Sequence, residues 1–334
     1  MVLDFGTAGL PPIAPPGSRE RVDLCHILGV RFAISIPQYV EEGEFNGDRF
    51  RVHLRRAEEL GFESGWTQEQ ILGSAGALSP LETLAFAAAH TERLRLGCVV
   101  FVLPLHNPLH LAKAIASLDC LSRGRAEVGV VAGGKGRPFA AFGVDPDRPV
   151  SRFNEALALM KVCWTEKEID FDGSHWKLER ASMEPKPVQK PHPPVWLGGN
   201  HPDALKRAVR VGDGFFGAGS QTTAAFTEQV QSIRRELSDQ GRDPASFRIA
   251  KRVYVHVDDD QSVARERIAA GLARHYGGRG LEDVAVAGPP ETCVEGLRQV
   301  IQAGAGLILL NSLVDDTQQM ERLAAEVVPQ LSQA

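Results

Sequence analysis

Three stretches of this chain set glycine beside polar or cationic side chains in a way that suits an anionic ligand. They are Ala132-Gly133-Gly134-Lys135-Gly136-Arg137, Gly198-Gly199-Asn200 and Gly217-Ala218-Gly219-Ser220. Glycine lets a ligand approach the backbone, and free N–H groups at a helix start attract phosphate. Asn200 stands just ahead of Pro202 and Asp203, and Ser220 and Thr222 precede a run of helical period, so both loops read as helix N-termini. The first stretch adds two cations, Lys135 and Arg137. It lacks the Ser or Thr that follows a P-loop lysine, and it is not G-x-G-x-x-G. Any one of these loops alone is ordinary turn chemistry. Three on one rim favour a ligand with a phosphate.

Proton chemistry has fewer candidates. Glu69, Gln70, His106 and Asn107 follow two strand-like runs, where a polar side chain can reach a reacting atom. Other chemistries find little support. His106 and His110 lie one helical turn apart with no carboxylate beside them, so no metal site is expected. There is no G-x-S-x-G elbow, and Lys251 falls in mid-strand, a poor place for a Schiff base.

The elements that must position these residues alternate. Eight strand-like runs, at 30–35, 62–66, 94–101, 125–131, 194–198, 213–217, 247–257 and 306–311, are separated by segments of helical period. Helices are expected at 48–60, 80–90, 108–121, 151–164, 202–210, 222–239, 261–275, 290–303 and 317–331, with Ser151 capping the fourth. Eight strands with helical crossovers and no break between halves point to an α/β (β/α)8 TIM barrel rather than a doubly wound sheet. Residues 169–193 do not fit that rhythm. They read as an insertion after strand 4, opening with a small hairpin.

Composition narrows the class. The chain has 334 residues, 43% of them hydrophobic, and a net charge of −5 with no basic stripe, which disfavours nucleic acid as a partner. No apolar run is long enough to cross a membrane. Five scattered cysteines fit reduced thiols and a cytoplasmic setting. Residues 1–24 are rich in Pro and Gly without a signal-like apolar core, and are expected to be a disordered extension to a single domain at 25–334.

An ordered run of motifs gives more. "AEELGFESGWTQEQ", "AAAHTERLRLGCVVFVLPLHNPLHLAKAIASLDCLSRGRAEVGVVAGG", "RFNEALALMKVCWTE", "FDGSHWKLE" and "EPKPVQKPHPPVWLGGNHPDALKRAVRVGDGFF" resemble the bacterial luciferase-like monooxygenase family, close to its coenzyme F420-dependent oxidoreductase branch. The resemblance implies a redox cofactor across the C-terminal mouth of the barrel, coenzyme F420 or alternatively FMN. It implies that a strand-three bulge at Cys98-Val99-Val100 supports the central ring, with a non-prolyl cis bond at Val99–Val100. Ala132, Gly133 and Gly134 would lie beside the ribityl chain. Gly198, Gly199 and Asn200, with Gly217, Ala218, Gly219 and Ser220, match the phosphate loops. Lys135 and Arg137 would form a basic lip for the polyglutamate tail of F420. Many relatives carry a histidine where this chain has Gln70, which can hydrogen-bond but cannot shuttle a proton at neutral pH, and the catalytic candidates are Glu69, Gln70 and His106. The expected function is hydride transfer with F420 to or from a small organic substrate. The alternatives are an FMN-dependent monooxygenase and a flavin- or deazaflavin-binding protein without turnover. Similar proteins pair through barrel helices, so a homodimer is expected.

Overall fold

The computed structural model describes residues 29–40, 45–73, 76–134, 139–276, 280–314 and 316–333. The sequence expectations for residues 1–24, Lys135 and Arg137 lie outside them. Strands β1 (Arg31–Ser35), β2 (Ser64–Thr67), β3 (Arg95–Val102) and β4 (Ala126–Val131) alternate with helices α1 (Gly47–Glu59), α2 (Pro80–His90) and α3 (Pro108–Leu121). After α4 (Pro149–Thr165) comes an antiparallel hairpin, β5 (Ile169–Asp172) and β6 (Lys177–Ala181). The alternation then resumes with β7 (Val195–Leu197), α5 (Pro202–Val211), β8 (Gly214–Gly217), α6 (Thr223–Asp239), β9 (Arg248–Val257) and α7 (Gln261–Tyr276). It closes with β10 (Val286–Gly288), α8 (Pro290–Gln302), β11 (Leu307–Asn311) and α9 (Asp316–Arg322).

Eight of these strands pair in parallel in the order β9-β11-β1-β2-β3-β4-β7-β8, and β8 pairs back to β9. The sheet is therefore a closed (β/α)8 barrel with an insertion after its fourth strand, as the strand count implied. Strands buried on both faces read as short continuous apolar runs, which made them legible. β10 was not. It is three residues long and extends β9 at Val255–Val257, too short for any period to show. The closing helix also departs from expectation. After Arg322 the chain tightens into a π turn at Leu323–Val327 and a 3-10 turn at Val328–Gln333. Pro329 lies in that last turn, where its missing N–H cannot serve an α-helix.

Aromatic rings fill the barrel. Trp66, Trp196 and Phe216 meet edge to face at 5.0–6.2 Å among Ala33, Ala250, Leu307 and Leu309. The adjacent strands make room with glycine, Gly97 beside Trp66 and Gly214 beside Trp196. A Cβ on Gly97 would overlap the Trp66 indole, and one on Gly214 would come within 2.7 Å of Trp196. Beneath the rings lies the buried carboxylate of Glu127. It takes hydrogen bonds from Arg95 and from Trp196 Nε1, with Arg248 at 3.9 Å.

Caps fix the helix starts. Asn46, Asn107 and Thr222 accept backbone N–H groups at the heads of α1, α3 and α6. Two expectations need correction here. Helix α4 begins at Pro149 rather than with Ser151 as its cap, because proline presets φ for a first helical turn. His201, not Asn200, caps α5, since Asn200 Oδ1 is already engaged by Gln229 at 3.1 Å.

The inserted hairpin leans on α4. Glu155 accepts N–H groups from Ser174, His175 and Trp176, while Arg152 lies 4.6 Å from the Trp176 ring. The returning segment is clamped by the fully buried Asp119, which takes both the backbone and side-chain nitrogens of Gln189. Among the described residues no helix is long and apolar enough to cross a membrane.

Lys251 ties the β8–α6 loop to the barrel. Its buried amine donates to Ala218 O and Gln221 O, both at 2.9 Å. Burial, and then the neighbouring Arg252 charge, lower its ammonium to about 7. A neutral amine still offers two N–H groups, one for each carbonyl. Between pH 7 and the ordinary lysine range the unfolded chain binds the extra proton, so stability should rise with pH there by up to about 1.4 kcal/mol per unit. Urea unfolding at pH 7, 8.5 and 10 should show that rise in the wild type and lose it in Lys251→Met. Gly97→Val should cost about 1–3 kcal/mol in the same assay by forcing a methyl group against Trp66.

Candidate active site at the C-terminal mouth

One step above the aromatic layer, the inward positions of the strands change character. Alternation along each strand carries Ala33 to Ser35, Trp66 to Gln68, Gly97 to Val99, Ala250 to Arg252 and Leu309 to Asn311. Four of these five are polar. They pave the floor of the mouth.

Arg252 organises this layer. Its Nη1 donates to Gln68 Oε1 at 2.6 Å, and Nη2 to the hydroxyls of Tyr254 at 2.7 Å and Tyr276 at 2.9 Å. The two hydroxyls also bond each other. Burial pushes the Tyr254 phenol well up, and pushes Tyr39 up to about 12. Gln38, itself buried, fixes the Gln68 backbone by accepting from its N–H at 2.5 Å and donating to its carbonyl at 2.7 Å. Gly219 presses on this cluster, since a Cβ there would lie 2.8 Å from Tyr254 and 2.9 Å from Arg252.

A cavity of about 1180 Å³ opens over the ends of β1, β2 and β11, between α1 and α7. Ser35, Gln68 and Asn311 belong to its floor, Tyr39 and His275 to its wall, and Arg49, Arg267 and Arg274 to its lining. His275 meets the Tyr39 ring edge-on at 4.2 Å.

The residues expected from the sequence sit beside this cavity rather than in its wall. Glu69, directly after Gln68, joins two elements: Oε2 accepts from Val102 N–H at 2.7 Å and Oε1 meets His106 Nε2 at 2.6 Å. Its side chain is only 4% exposed and that of His106 20%. The sequence named both residues, and tertiary structure makes them a pair. Gln70 stays apart, folded over Gly73.

The strand-three bulge is present. The β3–β4 register shifts between Cys98 and Phe101, and Val99–Val100 is cis. Val99 points into the barrel with the aromatic cluster, while the Cys98 thiol is buried and raised well above its ordinary pKa by that burial. A Cβ on Gly129 would overlap Cys98 O, so the bulge needs that glycine. Gly198 faces Val131 and Val100, Gly199 faces Ala204, and Gly217 faces Phe226, so each of these three has a packing neighbour that a side chain would crowd. Ala132 and Gly133 are half-buried at the end of β4, Gly133 with a φ of 77°. Gly134 is exposed and faces open space. Ala218 serves Lys251 through its carbonyl, and Ser220 is half-buried in the same loop.

The sequence reading passed over Gln38, Gln68, Arg252, Tyr254, Tyr276 and Asn311. A signal existed for two of them. In "KRVYVHV" arginine and tyrosine sit two apart in a strand, which puts both on one face.

Comparison with known proteins agrees with this geometry. Residues 28–279 match the family described as luciferase-like monooxygenase. The F420-dependent glucose-6-phosphate dehydrogenase of Kineococcus radiotolerans is 29% identical over 219 residues, 63% of this chain and 64% of that one. The FMNH(2)-dependent dimethylsulfone monooxygenase of Pseudomonas putida is 29% identical over 224 residues, 65% of this chain and 60% of that one. The chain thus spans somewhat less than two thirds of the length of these relatives. Among solved structures, monooxygenase RslO1 from Streptomyces bottropensis superimposes with a TM-score of 0.79 at 23% identity, covering 90% of this chain and 99% of that one. The coenzyme F420-dependent tetrahydromethanopterin reductase of Methanopyrus kandleri gives 0.75 at 21% identity, with the same two coverages. With its closed barrel, inserted hairpin and bulged third strand, and a match over three quarters of its length, the chain belongs to the luciferase-like monooxygenase family.

Proposed function

We propose that this protein is an oxidoreductase that uses coenzyme F420 to move a hydride to or from a small organic substrate at the barrel mouth. The observation that carries the reading is the Val99–Val100 bulge, set at the edge of the mouth with the Glu69–His106 pair on the backbone just beyond it. The residues present suit a flat ring with a trailing anion. Val99 and Val100 give an apolar shelf, and Gly134 leaves open space at the end of β4. Lys135 and Arg137 follow Gly134 in sequence and supply positive charge for a glutamate tail.

A bound deazaflavin would supply hydride chemistry at its C5 position, and lacking N5 it does not readily activate oxygen. The chain's own residues do the positioning. Glu69 takes the Nε2–H of His106, which fixes the proton on that nitrogen and leaves Nδ1 as the one able to accept another. The same carboxylate holds Val102 N–H, so the bulge and the imidazole move as one unit. Gln70 can hydrogen-bond but cannot carry a proton at neutral pH. Proton transfer therefore falls to His106.

A second reading is an FMN-dependent monooxygenase, favoured by the equal 29% identity to the P. putida enzyme. Without the usual histidine at position 70, a binding protein without turnover is the third.

Titration of the protein with coenzyme F420 and with FMN, followed by absorbance and fluorescence, separates these readings. Tighter binding of F420, weakening about tenfold between low and high salt, is the expected result. Preference for FMN without salt dependence would reverse the ranking. In an active preparation, Glu69→Gln should lower the rate of hydride transfer about 10–100-fold while cofactor affinity stays within about twofold. Binding of either cofactor without turnover on any donor would favour the third reading.

A further inference from the structure

Arg252 is a cation with no anion. A guanidinium keeps its proton in proteins and offers five N–H donors. Three are spent here, on Gln68 Oε1 and the two tyrosine hydroxyls, all neutral acceptors. Among the described residues no Asp or Glu forms an ion pair with it. A half-buried cation in that position is costly to hold unless something negative is brought to it. Its charge reaches its neighbours, since it is one cause of the lowered Lys251 ammonium.

The direction of Gln68 follows from this. Arginine has no acceptor, so the amide oxygen of Gln68 must face it, and the amide nitrogen is left without an acceptor among the described residues. Gln68 lines the cavity. So does Asn311, 2% exposed, whose amide nitrogen also lacks a partner. Two amides that line the same cavity thus have N–H groups to spare, and a positive charge stands behind one of them. Donors set in this way before a ligand arrives are suited to an oxygen that gains charge during a reaction.

We propose that Gln68 and Asn311, backed by Arg252, form an oxygen-anion receptor on the floor of the cavity, and that the substrate is a carbonyl compound or the matching alcohol whose oxygen is held there. The choice of substrate class rests on the hydride-transfer reading. Hydride added to a carbonyl carbon moves the C=O π pair onto oxygen, which then takes a proton, with reduced coenzyme as the two-electron donor. In reverse the carbinol carbon loses hydride and the hydroxyl loses its proton. A carbon–carbon double bond without an adjacent carbonyl would place no charge on an oxygen and would leave these donors unmatched. Gln68 and Asn311 are the contacts. Arg252 is a positioning residue that acts through Gln68.

The receptor is tested without cofactor, with benzoate and its neutral isostere benzamide as probes, by calorimetry on the full chain. The wild type should bind benzoate at least tenfold more tightly than benzamide. Gln68→Leu and Arg252→Met should bring that ratio below twofold, Arg252→Lys should restore part of it, and Asn311→Leu should weaken benzoate severalfold. Affinity for F420 should stay within twofold throughout. Thermal melts accompany each variant, and if Arg252→Met fails to fold, Gln68→Leu and Asn311→Leu decide the matter. Equal binding of the two probes, binding of neither, or an unchanged ratio in the variants overturns the receptor. So does loss of F420 affinity in place of benzoate affinity, which would give the donors to the cofactor. Selective benzoate binding by a protein that ignores F420 would keep the receptor and sink the hydride-transfer reading instead.

Discussion

A closed parallel barrel encloses a volume that must be filled, and here three aromatic rings fill it. Trp66, Trp196 and Phe216 are each at most 4% exposed and lock edge to face. Burying rings of this size is worth roughly 4–6 kcal/mol apiece as transfer free energy. The arrangement works only because Gly97 and Gly214 lack side chains where the indoles lie. This layer sets the height of everything above it. With the axis plugged at mid-barrel, the next inward positions form a floor rather than a channel.

What that floor is made of follows from strand alternation. The residue two beyond each buried ring or aliphatic group faces the same way, so Ser35, Gln68, Arg252 and Asn311 converge at the mouth although they come from four strands. Their polarity is affordable because the mouth is open to a cavity on the β1–β11 side. Arg252 is held by neutral groups, which keep it in place without cancelling its charge. The floor is therefore rigid and electropositive at once.

The other half of the mouth is shaped by backbone. At β3 the bulge turns Val99 toward the barrel axis, Gly129 yields to Cys98 O on the adjacent strand, and Glu69 anchors the chain beyond the bulge through Val102 N–H. Lys251 does the equivalent for the β8–α6 loop by taking two of its carbonyls. In both places one buried ionisable side chain converts a loop at a strand end into a fixed surface. The hairpin of β5 and β6 takes no part in this. Its turn is tied to α4 by Glu155, and its tryptophan stacks on Arg152.

The sequence by itself determined the barrel, because eight apolar runs alternating with helical periods are a local pattern that needs no knowledge of contacts. It also carried the place of the bulge and the family, since both rest on motifs contiguous in the chain. It could name Glu69 and His106, but not that a carboxylate and an imidazole 37 residues apart would meet. Nor could it show that Gly198, Gly199 and Gly217 have packing partners, because Val131, Ala204 and Phe226 reach them only after folding. Nothing local sets Arg252 apart from Arg248 and Lys251 in the same strand, and Asn311 is the last residue of another. Only closure of the sheet brings β9, β11, β1 and β2 around one axis. A donor layer is a property of that ring of strands and of no single strand within it.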